Sequence, residues 1–314
     1  MDLIVKMKFG AHLYGTATDT SDIDYKGVFR PSRRQLLLGR IPKCRSFTTG
    51  DDLSKNTAGD VDEDIYSLHH FIKLACEGQT VAMDMLHAPE AALVVTSDTW
   101  KTIVKERHRF YTKRLGTFVD YARRQAAKYG IKGSRLNAAA AVLDLLKTKT
   151  PESKLRDIWT DLPYNEHCHD LGKDPHGMRQ YQVCGKTFQE SVTVGYVLPI
   201  LEKFYDAYGH RAKLAAENKE IDWKAVSHAI RATLQVREIL TQGAIHYPLK
   251  DALYLKQVKE GRLDYLGQVA PRLESLMAEV ETLLKNSPLP DNPDRGYWDD
   301  FICETLDHYL LNLA

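Results

Sequence analysis

The sequence predicts an α+β protein: a small mixed β-sheet with helices at the N-terminus, followed by a larger helical region. Two observations predict this fold class. In the first third of the chain, short stretches alternate apolar and polar residues with a period of two, which is typical of strands. Beyond them, apolar residues recur every three to four positions in long stretches, which is typical of amphipathic helices.

The N-terminal elements surround a loop of small polar residues. Strands are predicted at residues 3–9, 23–29 and 44–49, a loop at 15–22, and a helix at 66–77. The first strand ends at Gly10, and the loop consists largely of Gly, Thr, Ser and Asp. The helix carries Leu68, Phe71 and Ile72 on one face, and Gly78 follows its end.

The rest of the chain is predicted to be mostly helical. Helices are expected at residues 98–129, 134–147, 194–208, 223–242, 250–260, 270–285 and 298–313. Residues 161–188 are irregular and rich in His, Gly and Asp, which indicates a surface insertion or a hairpin. We therefore expect a domain with a mixed sheet at 1–95, a helical segment at 96–190 and a C-terminal helical domain at 191–314.

Composition restricts the possible locations and partners. The 314 residues are 43% hydrophobic and 27% charged, with a formal net charge of +1, so any nucleic-acid surface must be a local patch. Five scattered cysteines fit a reducing compartment better than a disulfide framework. The N-terminal stretch is too short for a signal peptide, and no apolar run could cross a membrane. We expect a cytoplasmic protein without membrane contact, and the sequence leaves its oligomeric state open.

The most informative stretch runs from Gly10 to Asp24. Asp22 and Asp24 are two positions apart on a predicted strand, so their side chains project from the same face. Neighbouring carboxylates repel each other unless a cation lies between them. Carboxylates beside a glycine turn are good ligands for Mg²⁺ together with phosphate oxygens, because a glycine lets backbone N–H groups approach an anion.

This stretch resembles the signature of the DNA polymerase β superfamily of nucleotidyltransferases, in which a strand, a glycine turn and a loop precede an Asp-x-Asp strand. The fuller string, with His12, Tyr14, Gly15 and Ser21, is similar to the RNA-repair-associated, YcgL-like subgroup. Weaker matches continue along most of the chain, through residues 62–74, 128–130 and 228–261. The resemblance implies a small polymerase-β-like palm at the N-terminus.

The resemblance also implies two Mg²⁺ ions, with Mn²⁺ as an alternative, held by three acids. Asp22 and Asp24 match the pair that binds both ions. Asp62 matches the third acid best, by its distance to Tyr66. Asp64 is the second choice because it shares a strand face with Asp62, and Asp60 is a weaker third.

Ten residues are predicted to bind the nucleotide, half of them on the basic stretch and helices that follow residue 127. They are Gly10, Ala11, His12, Tyr14, Ser21, Lys128, Arg135, His228, Arg231 and Lys259. One of them departs from the family pattern: Ala11 stands where the family usually has a serine that helps to bind the triphosphate. The loss of that hydroxyl costs about 1.5–3 kcal/mol of binding energy. Thr16 or Thr18 could replace it.

Several of these residues have a purely structural alternative. His228 and Arg231 lie one helical turn apart and would equally suit a salt bridge or a packed core. Lys256 and Lys259 would suit a solvated helix face. The stretch from Lys128 to Arg135, extended upstream by Arg123 and Arg124, would suit the basic end of a helix. A zinc site is a further hypothesis, with candidate ligands His167, Cys168, His169, His176 and Cys184.

The favoured function is the transfer of a nucleoside monophosphate from an NTP to an acceptor hydroxyl. Resemblance to the RNA-repair subgroup implies that the acceptor is an RNA 3′ end, with tRNA as the expected RNA. One alternative keeps the chemistry but transfers the nucleotide to a protein or a small molecule. Another is a nucleotide-binding or RNA-binding module that has lost turnover, for which Ala11 is the sole indication.

Overall fold

A five-stranded mixed sheet forms the N-terminal part of the chain. The computed structural model describes residues 1–50, 57, 59–116, 119, 122–123, 133–165, 167–216 and 218–311, with backbone alone at 133–136 and 208–216. The strands are β1 (Asp2–Lys8), β2 (Ile23–Arg30), β3 (Cys44–Thr48), β4 (Val61–Ser67) and β5 (Leu93–Val95). Their order in the sheet is β3-β4-β2-β1-β5. The first three predicted strands are confirmed.

The pairing of β2 with β4 is parallel, whereas all other pairings in this sheet are antiparallel. Such a mixed sheet was predicted. The buried side chains of Ile4, Val5, Met7, Val28 and Phe29 give the sheet its apolar core. Because β2 lies between β1 and β4, Asp24 near its start lies inside the sheet and next to β4.

Two short helices, α1 (Gly10–Tyr14) and α2 (Arg33–Leu37), lie on the connections of the sheet. Helix α3 (Leu68–Cys76) follows β4 directly, and α4 (Thr80–Leu86) comes after it. The predicted start of α3 at Tyr66 was two residues early, because Tyr66 and Ser67 pair with β2 and the Ser67 hydroxyl caps the helix by accepting from the His70 N–H at 3.4 Å.

The long helix predicted from residue 98 is interrupted after its first two turns, whereas residues 119, 122 and 123 are helical as predicted. Helix α5 spans Asp98–Lys105, and two short 3₁₀ turns follow at Arg107–Phe110 and Lys113–Gly116. The physical reason is packing: Phe110 is fully buried and stacks on Trp298 with ring centroids 4.0 Å apart. Residues 117–118, 120–121 and 124–129 lie outside the described part of the chain.

The remaining helices follow the predicted apolar periodicity closely. They are α6 (Gly133–Lys147), α7 (Val194–Ala216), α8 (Trp223–Gln242), α9 (Ala252–Lys259), α10 (Ala270–Asn286) and α11 (Arg295–Leu311). Helix α7 is longer at its C-terminal end than predicted. None of the helices in the described ranges is both long and apolar enough to cross a membrane.

Contacts divide the chain into two compact units. The first unit contains residues 1–125, 222–263 and 271–314, so the N-terminal sheet shares one core with α8, α9 and α11. The second unit contains residues 126–221 and 264–270. Both units draw on segments that are distant in the sequence. The three consecutive domains expected from the sequence stay a prediction.

The region predicted to be irregular contains a second, three-stranded antiparallel sheet. Its strands are β6 (Cys168–Lys173), β7 (Arg179–Val183) and β8 (Lys186–Gln189). The predicted hairpin is confirmed by the antiparallel strands, whereas the alternative of a surface insertion is wrong, since Tyr181, Val183 and Phe188 are buried in the core of the second unit. Short strands with many polar outer residues gave too weak an alternation to be recognised from sequence.

Candidate active site

Asp24 on β2 and Asp62 on β4 are direct neighbours across the sheet. The two strands run parallel, and these residues are register partners. Register partners on adjacent strands, which lie about 4.8 Å apart, project their side chains to the same face of the sheet. The two carboxyl groups therefore lie side by side on one face, although 38 positions separate them in the sequence.

The pKa of Asp24 shows that Asp22 lies close enough to influence it. Burial, the charge of Asp22 and the charge of Asp62 all raise the pKa of Asp24 above its ordinary value, while Lys26 and His12 oppose the shift. Asp22, Asp24 and Asp62 thus form a concentration of negative charge, which we call the acid cluster. Proton uptake or a bound cation would relieve its internal repulsion.

Gly10 is fixed in the site by the side chain of Asp24. Its backbone has a φ of +59°, and a Cβ on this residue would lie 1.8 Å from the Asp24 Oδ2 atom. The adjacent Phe9 N–H donates to the Asp24 carbonyl oxygen at 2.8 Å. Since no larger residue fits, the glycine turn seats Asp24 against the end of β1.

The alternatives for the third acid have other partners. The Asp64 carboxylate accepts hydrogen bonds from Lys26 Nζ and Ser46 Oγ, each at 2.5 Å. Burial would raise the pKa of Asp64, but these bonds outweigh it and lower the pKa. Asp60 accepts a 2.6 Å bond from the Thr57 N–H and so closes a turn. Asp62 is the candidate that lies in register with Asp24.

The acid cluster opens to solvent. A cavity of about 270 Å³ lies over Asp24 and Asp62, with polar side chains from β2, β3 and β4. Its lining residues are Asp24, Lys26, Ser46, Phe47, Thr48, Asp62, Glu63 and Asp64. A small substrate group could therefore reach the carboxylates.

The donors of the acid cluster suit Mg²⁺ or Mn²⁺, because those cations prefer carboxylate oxygens and complete their coordination with phosphate oxygens and water. The raised pKa of Asp24 reflects both its burial and the negative charge of its two acidic neighbours. Within the described ranges, no three His, Cys, Asp or Glu side chains are already gathered around one point. The magnesium site and the zinc site therefore both stay predictions; of the candidate zinc ligands, Cys168 and Cys184 are buried in the core of the second unit.

Comparison with known proteins identifies the family of this chain. Residues 1–148 match the family described as "RlaP: RNA repair pathway DNA polymerase beta family". The chain is also 38% identical to the "Uncharacterized 38.9 kDa protein in nrdC-mobD intergenic region" of Enterobacteria phage T4, and the match covers 96% of each chain. The chain belongs to the RNA repair pathway DNA polymerase beta family.

A solved structure, a nucleotidyltransferase-like protein from Exiguobacterium sibiricum, aligns with 90% of this chain and 69% of its own. The sequences are 8% identical and the TM-score is 0.25, so this alignment carries no argument. Membership of the polymerase beta family rests instead on the family match and on the phage relative.

In this member of the polymerase beta family, the loop between α1 and β2 is closed by its own hydroxyl groups. The Ser21 Oγ accepts from the Thr18 N–H at 2.9 Å, and the Thr18 Oγ1 lies 3.1 Å from both Ser21 Oγ and Thr20 Oγ1. Thr16 is buried, and its N–H donates to the Ala11 carbonyl oxygen at 2.9 Å. Whether Thr16 or Thr18 replaces the missing serine hydroxyl at Ala11 stays a prediction.

Tyr14 and Arg231, both predicted to bind nucleotide, meet at the buried carboxylate of Asp84. Arg231 Nη1 and Tyr14 Oη donate to Asp84 Oδ2 at 2.8 and 2.7 Å, and the guanidinium lies 4.0 Å from the centre of the Tyr14 ring. Gln235 Nε2 and Tyr247 Oη donate to Asp84 Oδ1, each at 2.7 Å. The structure thus gives both predicted ligands a structural partner, through residues that the sequence analysis did not identify.

The other predicted nucleotide ligands are scattered. His12 is exposed on α1 and lies near enough to influence Asp24. His228 keeps solvent contact, yet the packing around it lowers its pKa to about 4. Lys259 is exposed at the end of α9. Lys128, with the neighbouring Arg124, lies outside the described residues, as does the side chain of Arg135.

Proposed function

We propose that this protein is a divalent-metal-dependent nucleotidyltransferase, which transfers a nucleoside monophosphate from an NTP to the 3′ hydroxyl of an RNA, with tRNA as the expected RNA. One observation carries the proposal. Asp24 and Asp62 lie in register on adjacent parallel strands, and the charge of Asp22 reaches Asp24. Asp24 and Asp62 line an open cavity, and a group of carboxylates at such an opening is what this chemistry requires.

Each acid would have a separate task. Asp22 and Asp24 would hold the cations against the triphosphate, and Asp62 would hold the side of the site where the acceptor hydroxyl enters. Bound Mg²⁺ or Mn²⁺ would neutralise phosphate charge and favour deprotonation of that hydroxyl. The contact between Gly10 and Asp24 limits the movement of the carboxylate, so that it is positioned before the substrate arrives.

Basic groups lie beside the acid cluster. Lys26 is two positions after Asp24 and is held by Asp64, and His12 lies on α1 near Asp24. The nucleotide triphosphate would bring up to four negative charges to the cluster, so nearby cationic groups are needed in addition to the metal ions. Lys26 and His12 are placed to contribute that charge.

The test is to incubate the protein with each α-³²P-labelled NTP, Mg²⁺, total tRNA and total cellular protein. We expect labelled RNA, and we expect Asp24→Asn and Asp62→Asn to lose about a thousandfold in rate because each removes a cation ligand. Asp98→Asn is the matched control, since Asp98 is an exposed acid at the start of α5. An unlabelled RNA pool, or equal labelling by Asp24→Asn, would overturn the proposal. Label in protein alone would overturn the RNA acceptor.

A further inference from the structure

A basic stretch without acidic residues leads into the edge of the catalytic sheet. Residues 25–50 contain seven Lys and Arg residues and no Asp or Glu, in a chain whose net charge is only +1. Two of the seven are engaged inside the fold: Lys26 pairs with Asp64, and Arg30 pairs with Asp2 at 2.9 Å. The other five form what we call the basic edge, namely Arg33, Arg34, Arg40, Lys43 and Arg45.

All five side chains of the basic edge are exposed. Helix α2, which carries the first two, is fixed by a capping box between Ser32 and Gln35. The chain then continues into β3, the outermost strand of the sheet on this side. Arg45 Cζ lies 5.4 Å from the centre of the Phe29 ring, on the face of the sheet opposite Asp24 and Asp62. The result is a concentration of positive charge along one border of the first unit.

The basic edge is continuous with the acid cluster through β3. Thr48 is the register partner of Asp62, and Ser46 is the register partner of Asp64. A strand rises about 3.3 Å per residue, so Arg45 lies about 10 Å along β3 from the position opposite Asp62. Arg45 and Phe47 alternate with Ser46 and Thr48, so their side chains leave β3 on the face opposite Asp24 and Asp62. A nucleic-acid strand with its end at the acid cluster would therefore pass over this exposed edge strand and reach the basic edge with its next nucleotides.

An aromatic side chain accompanies this charge. Phe47 on β3 is 62% exposed and contributes to the lining of the cavity over the acid cluster. Its ring is thus open to a stacking partner at the mouth of that cavity. Basic side chains that track a backbone, with an aromatic ring on which a base stacks, are the usual combination for single-stranded nucleic acid.

We propose that the basic edge and Phe47 bind the acceptor RNA, with phosphates on the basic side chains and a base on the Phe47 ring. This inference rests on the proposed function, since it supplies the acceptor side of that reaction. RNA fits better than a protein because an all-positive surface matches a uniformly negative polymer. The exposed side chains of Leu37 and Leu38 would also suit an anionic membrane, and the experiment below distinguishes the two.

The test measures binding of a fluorescein-labelled single-stranded RNA with a free 3′ hydroxyl, in EDTA and without NTP, so that catalysis plays no part. The test variant is Arg33→Gln/Arg34→Gln/Arg40→Gln/Lys43→Gln/Arg45→Gln. The control variant removes five exposed charges elsewhere: Lys101→Gln/Arg156→Gln/Lys203→Gln/Arg262→Gln/Arg295→Gln. We expect the test variant to bind at least about tenfold more weakly. The slope of log K against log[salt] should become shallower by about 0.7 for each phosphate that the variant no longer neutralises.

Phe47 is tested separately because its role is stacking and not charge. Phe47→Ala should weaken RNA binding about tenfold with an unchanged salt slope. Phe47→Trp should retain binding, and its added indole fluorescence should be quenched when RNA stacks on it. If Phe47→Trp loses RNA binding as much as Phe47→Ala does, a base does not stack on the ring at this position.

The outcomes separate this inference from the proposed function. If the test variant binds RNA as tightly as the control variant, the basic edge is not the acceptor site, whatever the wild type catalyses. If the test variant instead loses binding to phosphatidylserine vesicles and keeps RNA binding, the surface binds membranes and the inference is overturned. If RNA binding depends on the basic edge but no nucleotide is transferred, the RNA surface stands and the proposed function falls.

Discussion

The first unit contains two acidic centres that differ in what surrounds the carboxylates. Asp84 has 2% of its side chain exposed and accepts hydrogen bonds from four side chains, among them the guanidinium of Arg231. Asp24 is half-buried under an open cavity, and burial together with two neighbouring acids raises its pKa. One carboxylate is balanced within the fold, whereas the other is held among like charges.

This difference separates a structural acid from a candidate catalytic one. A buried carboxylate with a paired cation and several donors links α4, α8 and α1, and its replacement should cost folding energy. Carboxylates kept together against their repulsion cost stability in the absence of a ligand, so we propose that a bound ligand is the reason for their arrangement.

Arg231→Met should have the largest effect on stability. It leaves the Asp84 carboxylate buried without its cation, which typically costs about 3–5 kcal/mol. Urea unfolding of the variant measures the change in the free energy of unfolding. Arg237→Met is the control on the same helix, because Arg237 pairs with Glu279 at 3.6 Å on the surface and should cost less than about 1 kcal/mol. Equal costs for the two variants would show that Asp84 is not a structural acid.

Gly10→Ala should affect the rate more than the fold. The added methyl group would overlap the Asp24 carboxylate, and a displacement of about 1 Å in a catalytic group can lower the rate about a hundredfold. Gly172→Ala controls for backbone strain, since Gly172 has a φ of +79° and no atom within 4 Å of the added position. Steady-state nucleotide transfer measures both. An unaffected rate in Gly10→Ala would mean that the position of Asp24 is unimportant.

Asp64→Asn should lower the rate by less than about fivefold, since Asp64 is already engaged by Lys26 and Ser46. The same assay that follows Asp62→Asn measures it. A loss near a thousandfold in Asp64→Asn, with a small loss in Asp62→Asn, would reverse the assignment of the third acid.

The smallest expected effect is a pH dependence of stability. The folded protein raises the pKa of Asp24 above its ordinary value of 3.8, so it keeps this proton after the unfolded chain has lost it. In cation-free buffer, the contribution of Asp24 to the free energy of unfolding therefore falls as pH rises from about 4 through the folded pKa. Urea unfolding across this range should show that the free energy of unfolding of Asp24→Asn, relative to the wild type, increases with pH. A constant difference between the two would contradict the repulsion.

Local sequence patterns were sufficient for the strand that carries Asp24 and for most helix bounds, because these depend on neighbouring residues; Asp22 lies just before this strand. Pairing between distant strands does not depend on neighbouring residues. Asp62 was therefore assigned only through the family resemblance, and its register with Asp24 was not predicted. The contact of Gly10 with Asp24 was likewise beyond the local pattern: the glycine was predicted, but its reason lies 14 positions away.

Two features had a sequence signal that was missed. Asp84 stands in the apolar run Val-Ala-Met-Asp-Met-Leu, and an acid there predicts a buried, paired carboxylate. Arg231 was expected on a helix, but periodicity gives the face of a residue and not its partner. The basic edge was visible as a run without acids, which the near-zero net charge of the whole chain concealed.

The most direct measurement is Mn²⁺ binding, followed by electron paramagnetic resonance with NTP present, in the wild type, Asp62→Asn and Asp64→Asn. It needs no acceptor and tests whether the acid cluster takes up divalent cations. We expect the wild type and Asp64→Asn to bind Mn²⁺ with similar affinity, and Asp62→Asn to bind at least about tenfold more weakly. Equal binding by all three proteins, or none by the wild type, would contradict a cation site built on Asp22, Asp24 and Asp62.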